Sequence, residues 1–170
     1  RLTDRNAQKE YYLTDLIRAA AEAGTGVAGC AVDDWQEARG INTFSELADI
    51  EGKMNQDFLR TLMDSGVRII DPDKTWVDES VAIEPGAVIF PMTFLRGNTR
   101  IGAGSSIGPG AVITDSVIGR NVEVRPFCVI AGSEVADGTS VGPFSHMRPG
   151  SSRAAEQRKK LTGNGKEGKS

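Results

Sequence analysis

From Val77 onward the hydrophobic positions recur at a period of six: Val77, Ile83, Ile89, Leu95, Ile101, Ile107 and Ile113, then Ile118, Val124 and Ile130, then Val135, Val141 and Met147, with five-residue steps only before Ile118 and Val135. The fourth residue after each tends to be small, as at Ala87, Thr93, Thr99, Ser105, Ala111, Cys128, Thr139 and Ser145. Glycines and prolines fall between, as in Ile101-Gly102-Ala103-Gly104 and Ile107-Gly108-Pro109-Gly110. Two or three strand residues followed by a turn, repeated every six, make flat sides that stack at the sheet spacing of about 4.8 Å. Three such sides close a triangular coil, so the pattern predicts a left-handed parallel β-helix of about four coils. The aliphatic residue of each hexad points inward, and the small residue lets the chain turn beneath the coil above. Cys128 stands at a small-residue place and reads as packing rather than as a reactive thiol.

Ahead of the hexads the period is helical. Tyr12, Leu13, Leu16, Ile17, Ala20 and Ala21 predict an amphipathic helix between Asn6 and Ala23, stopped at Gly24. Val27-Ala28-Gly29-Cys30-Ala31-Val32 suits a short buried strand or a loop of small residues. Thr43-Phe44-Ser45-Glu46 has capping-box spacing and predicts a helix start. Leu47, Ile50, Met54, Phe58 and Leu62 then step along one face to Gly66, making a helix long enough to be an arm between two bodies, though the pattern equally suits a plain surface helix of a single domain. A β-helix must cover its open ends, and Trp76 is placed to cover the near one. At the far end the next inward place is Arg153, and Leu161 is the one large apolar residue of the last twenty. The repeat is therefore expected to be cut off rather than capped.

Composition narrows the function classes. With 39% hydrophobic and 25% charged residues, the chain is suited to a globular fold. No window holds the roughly eighteen apolar residues of a membrane helix, and no membrane partner is expected. The net charge of −3 divides unevenly: residues 151–170 carry +4 and residues 1–150 carry −7, so nucleic-acid binding has only the tail to rest on and is not expected. Two distant cysteines, Cys30 and Cys128, fit a reducing compartment, and a cytoplasmic location is expected. The chain opens Arg1-Leu2-Thr3-Asp4 and reads as a piece of something longer.

Asn6-Ala7-Gln8-Lys9-Glu10-Tyr11-Tyr12-Leu13-Thr14-Asp15, Gly40-Ile41-Asn42-Thr43, the long helix, and Val141-Gly142-Pro143-Phe144-Ser145-His146-Met147-Arg148-Pro149-Gly150 together resemble the bacterial bifunctional UDP-N-acetylglucosamine pyrophosphorylase / glucosamine-1-phosphate N-acetyltransferase, over residues 1 to about 150. The resemblance implies a Rossmann-like nucleotidyltransferase domain that joins UTP to N-acetylglucosamine-1-phosphate with Mg²⁺, then a helical arm. It also implies a left-handed β-helix that forms a homotrimer and acetylates glucosamine-1-phosphate from acetyl-CoA. This chain looks like the middle third. Residues 1–42 would end the nucleotidyltransferase domain, 43–66 would be the arm, 67–150 the β-helix, and 151–170 a basic tail outside the family.

By the same resemblance Asn42 would help hold Mg²⁺ and nucleotide, an amide oxygen being a hard neutral ligand. Arg148 would contact the sugar phosphate, to which a guanidinium fork is suited. Taken without the resemblance, Asn42 is a turn residue before a helix cap and Arg148 an exposed turn residue. His146, the single histidine, reads as an outward-facing turn residue and not as a general base. No catalytic residue is assigned, because the phosphate-holding loop and the later acetyltransferase residues of the family have no counterpart in the sequence; the chain alone is expected to be inactive in both reactions. Two other readings stand beside this one: a monofunctional sugar-1-phosphate nucleotidyltransferase whose short β-helix only assembles subunits, and a non-catalytic trimerisation module with a basic arm for nucleic acid.

Overall fold

The computed structural model describes Tyr12, residues 14–31 and residues 40–153. The chain divides into two units, Arg1–Asn42 and Thr43–Ser170. In the first, helix α1 (Asp15–Glu22) is the described part of the predicted amphipathic helix, and Gly24 follows with φ 68°. The expected start of that helix, from Asn6, falls mostly outside the described residues. Of the two readings at Val27, strand or loop of small residues, the structure has the loop: residues 27–31 are exposed and without regular structure, and Val32 lies outside the described residues. A buried strand needs neighbours to pair with, and every described strand belongs to the second unit.

The second unit opens with helix α2 (Phe44–Asp64). Its start is the predicted capping box: the Glu46 N–H donates to Thr43 Oγ1 at 3.2 Å and the Thr43 N–H donates to Glu46 Oε2 at 3.1 Å. It ends before Gly66, whose φ of 98° turns the chain back.

Among the described residues, fifteen short strands then wind into three parallel sheets, each gaining one strand per coil. One sheet is formed by β1 (Arg68–Ile69), β4 (Val88–Ile89), β7 (Ser106–Ile107), β10 (Glu123–Val124) and β13 (Ser140–Val141). The second holds β2 (Trp76–Val77), β5 (Phe94–Arg96), β8 (Val112–Thr114), β11 (Val129–Ala131) and β14 (His146–Met147). The third holds β3 (Ala82–Ile83), β6 (Arg100–Ile101), β9 (Val117–Ile118), β12 (Glu134–Val135) and β15 (Ser152–Arg153).

The coils number five rather than the four expected. The additional one begins at β1, where Ile69 partners Ile89 in the inward column. Between Ile69 and Val77 a 3₁₀ turn, Pro72–Lys74, stretches the step to eight residues and hides the repeat. All thirteen aliphatic places counted from Val77 point inward, twelve of them buried and Met147 partly so. Fully burying one such side chain contributes about 1.5–3 kcal/mol, and the stacked aliphatics are the core of this unit. At the far coil, Arg153 partners Val135 in register, at the place the hexads anticipate.

Cys128 is fully buried, its thiol 2.9 Å from the Gly142 carbonyl oxygen, as the packing reading requires. Cys30 is exposed and not in a disulfide.

The near end is covered by α2, not by Trp76. The buried residues of the helix are Asn55, Leu59 and Leu62, while Met54 of the predicted face remains 55% exposed. Leu59 is wholly buried within the coil core. Asn55 meets the open edge of β2: its Nδ2 donates to the Thr75 carbonyl at 2.9 Å, and its Oδ1 accepts the Val77 N–H at 3.1 Å. One side-chain amide thus answers the edge as a neighbouring strand would. Trp76 stands on the outer face instead, half-buried.

Candidate functional site

Arg148 follows β14 at the corner leading to β15. Its backbone is held firmly: the Arg148 carbonyl accepts the Ser133 hydroxyl at 2.8 Å and the Ser151 N–H at 3.0 Å. The side chain is exposed, and the guanidinium has no ion pair among the described residues. A fixed base bearing a solvent-facing fork is what recognition of a phosphate from outside requires. His146 faces outward as expected, but from strand β14 rather than from a turn, in register with Val129.

Asn42 is exposed, one residue before the Thr43 cap. It belongs to the first unit, Arg148 to the second. Mg²⁺ takes about six oxygens and typically one or two carboxylates. Among the described residues no group of three or more His, Cys, Asp or Glu side chains converges for a metal.

Two features escaped the sequence reading. On the outer face of the third sheet, a shallow recess of about 510 Å³ is lined by Ser80, Ala82, Glu84, Arg100, Arg120 and Asp137 among others. Arg120 grips Glu84 with two hydrogen bonds, Nε to Oε2 at 3.0 Å and Nη2 to Oε1 at 3.2 Å. The Ala103 N–H adds a third at 2.9 Å. The Arg120 side chain foremost, and then that backbone N–H, hold the Glu84 carboxyl below its ordinary range. The Arg120 N–H donates in turn to Asp137 Oδ1 at 2.7 Å. Arg100, between Ala82 and Val117 in register, has no carboxylate partner among the described residues. These residues approach only because the coils stack, with Glu84 and Arg120 being 36 positions apart, so no local motif announces them.

The second feature is a pair of recesses flanking Trp76. One, of about 450 Å³, is walled by Gly52, Lys74, Met92 and Phe94; the other, of about 390 Å³, by Glu51, Met54, Phe58 and Glu79. The signal that could have found them was the mismatch between the polar Asn55 and its place in the row Asn55, Leu59, Leu62.

A three-sided parallel β-helix of six-residue repeats, lidded at one end by a helix, places the chain among the hexapeptide-repeat proteins. No protein-family model matches it. The bifunctional protein GlmU of Carboxydothermus hydrogenoformans is 43% identical over 149 residues, covering 88% of this chain and 33% of that protein. GlmU of Anaeromyxobacter dehalogenans strain 2CP-C is 48% identical over 145 residues, 85% of this chain and 29% of its own length. GlmU of Nostoc sp. is 40% identical over 147 residues, with coverages of 86% and 32%. By sequence the chain is similar to part of these GlmU proteins, and it spans about a third of the length of the curated relatives it matches. Among solved structures, a point variant of GDP-perosamine N-acetyltransferase from Caulobacter crescentus, in complex with CoA and GDP-perosamine, aligns at 17% identity and a TM-score of 0.25 over 57% of this chain and 60% of that one, a likeness too slight to bear on chemistry.

Proposed function

We propose that this chain is the middle stretch of a bifunctional enzyme of UDP-N-acetylglucosamine synthesis, which acetylates glucosamine-1-phosphate from acetyl-CoA and then transfers uridylyl from UTP with Mg²⁺. What carries the reading is the 40–48% identity to GlmU proteins over 85–88% of the chain. Residues 1–42 are then the end of a Rossmann-like nucleotidyltransferase domain, 43–66 the arm, and 67–150 a left-handed β-helix of a cytoplasmic homotrimer, with 151–170 outside the family. Among the described residues no helix is long and apolar enough to cross a membrane. Arg148 takes the phosphate of the amino sugar, and Asn42 acts toward Mg²⁺ and nucleotide together with groups beyond the described residues. No catalytic residue is assigned to this chain, which by itself turns over neither substrate pair.

The reading is tested by binding, since a ligand held only by the folded state raises the unfolding midpoint. Glucosamine-1-phosphate is expected to raise the midpoint of the chain and of Arg100→Ala, and to leave that of Arg148→Ala unmoved, with inorganic phosphate as the reference anion. An equal rise in the Arg148→Ala variant, or no rise in the unaltered chain, rejects the assignment of Arg148.

A further inference from the structure

Three successive strands of the second sheet present the same triplet, outward, inward, outward: Phe94-Leu95-Arg96, Val112-Ile113-Thr114 and Val129-Ile130-Ala131. Side chains two apart on a strand share a face. In the first of these triplets the two outward side chains meet, the Arg96 guanidinium lying 5.3 Å from the centre of the Phe94 ring. The last coil repeats the arrangement as His146-Met147-Arg148. His146 is in register with Val129, Met147 partners Ile130 and packs on the core, and His146 and Arg148 are both exposed. The spacing that lets Arg96 reach Phe94 thus sets an imidazole beside the Arg148 guanidinium.

What surrounds the pair is uncharged. The column that ends at His146 runs through Phe94, Val112 and Val129, and the outward places ahead of Arg148 are Thr114 and Ala131. β11, packed against β14, therefore offers His146 no charged group, and the charged group beside it on its own strand is Arg148. Neither side chain of the pair has a hydrogen-bond or ion-pair partner among the described residues. Other outward arginines of the tube are engaged within the chain, Arg120 by Glu84, Arg125 by Glu123 and Arg96 by the Phe94 ring. Arg148 has beside it a second nitrogen donor where those have an acid or a ring.

We infer that His146 is a second contact for the phosphate that Arg148 takes. The inference rests on the assignment of Arg148 proposed above and adds a residue to it. A phosphate monoester presents three acceptor oxygens and close to two negative charges at neutral pH. A guanidinium fork engages two of those oxygens. Of the outward places adjoining Arg148, at His146, Val129 and Ala131, only His146 carries a donor for the third. A neutral imidazole donates from one ring nitrogen and an imidazolium from both. His146 holds the anion and moves no proton at a reacting atom, in keeping with its outward place. Histidine is the side chain that ordinarily changes charge between pH 5 and 8. Falling pH therefore adds positive charge beside the anion and tightens binding, until the phosphate itself takes up a proton near pH 6.

Titration of the full chain with glucosamine-1-phosphate, followed by the unfolding midpoint at about pH 6.5 and about pH 8, tests it. The unaltered chain is expected to bind several-fold tighter at the lower pH. His146→Ala is expected to bind roughly tenfold more weakly there, with no difference left between the two pH values. His146→Lys, which keeps a donor and carries a constant charge, is expected to bind tightly at both. The position is exposed, so all variants should share the midpoint of the unaltered chain when no ligand is added. If His146→Ala binds as the unaltered chain does, or keeps its pH difference, the inference is overturned; loss of binding in Arg148→Ala then leaves the sugar-phosphate reading standing. No rise in the unaltered chain, or an equal rise in Arg148→Ala, overturns that reading and the inference with it.

Discussion

Inside the corners, short hydroxyl side chains serve as rungs between coils. The Ser105 hydroxyl donates to the Gly119 carbonyl at 2.7 Å and accepts the Val122 N–H at 3.0 Å. Ser116 accepts the Ser133 N–H at 3.1 Å in the same manner. Thr139, in the fifth coil, is the exception: it is 3% exposed and its Oγ1 has no hydrogen-bond partner among the described residues. Leaving a buried backbone group unpaired costs about 1–3 kcal/mol, whereas removing a hydroxyl that is already unpaired costs nothing of the kind. Urea denaturation is therefore expected to show Ser105→Ala less stable by roughly 1–3 kcal/mol and Thr139→Val unchanged or more stable. Glu84 gives a second expectation at this scale. Because its folded-state pKa is lowered, its pairing with Arg120 contributes stability above the ordinary glutamate range and loses it as pH falls through the lowered value. Unfolding midpoints of the unaltered chain and of Glu84→Gln should differ at neutral pH and converge in acid; a constant difference would separate the pair from the acid response. Both groups are exposed, and the effect is small.

Of the elements, α2 shows most clearly where apolar periodicity misleads. Its boundaries were legible because a capping box and a left-handed glycine are local chemistry. The face was legible in part: Leu62 is buried and Phe58 packs against the core as the stripe predicts, but Met54 is exposed while Asn55 and Leu59 take the buried places. What decides the orientation is the strand edge of β2, which offers a carbonyl at Thr75 and an N–H at Val77, and only a side-chain amide satisfies both at once. Asn55→Leu keeps the branching of the side chain and strands both groups. We expect a loss of about 2–5 kcal/mol in chemical denaturation, larger than that for exposed Met54→Ala on the stripe the sequence favours.

Across the whole molecule, the β-helix was legible because each inward place is set by the same local rule, repeated; Ile69 was missed where the 3₁₀ turn breaks the count. The candidate site was much less so. Arg148 and Asn42 came from a resemblance, and their neighbours are set by groups that neither periodicity nor local spacing brings together. The Glu84–Arg120 contact was likewise beyond reach, since it exists only once coils are stacked.

The two five-residue steps also gain a meaning from the fold. Both run from the second sheet to the third, Ile113 to Ile118 in one coil and Ile130 to Val135 in the next, while every other step from Val77 onward keeps six. All three ladders stay in register through both shortenings. That edge of the tube works as an expansion joint: the chain can be trimmed there by one residue without shifting a single rung, so beyond the first coil's eight-residue step, length changes accumulate along one seam while the other two edges hold the count.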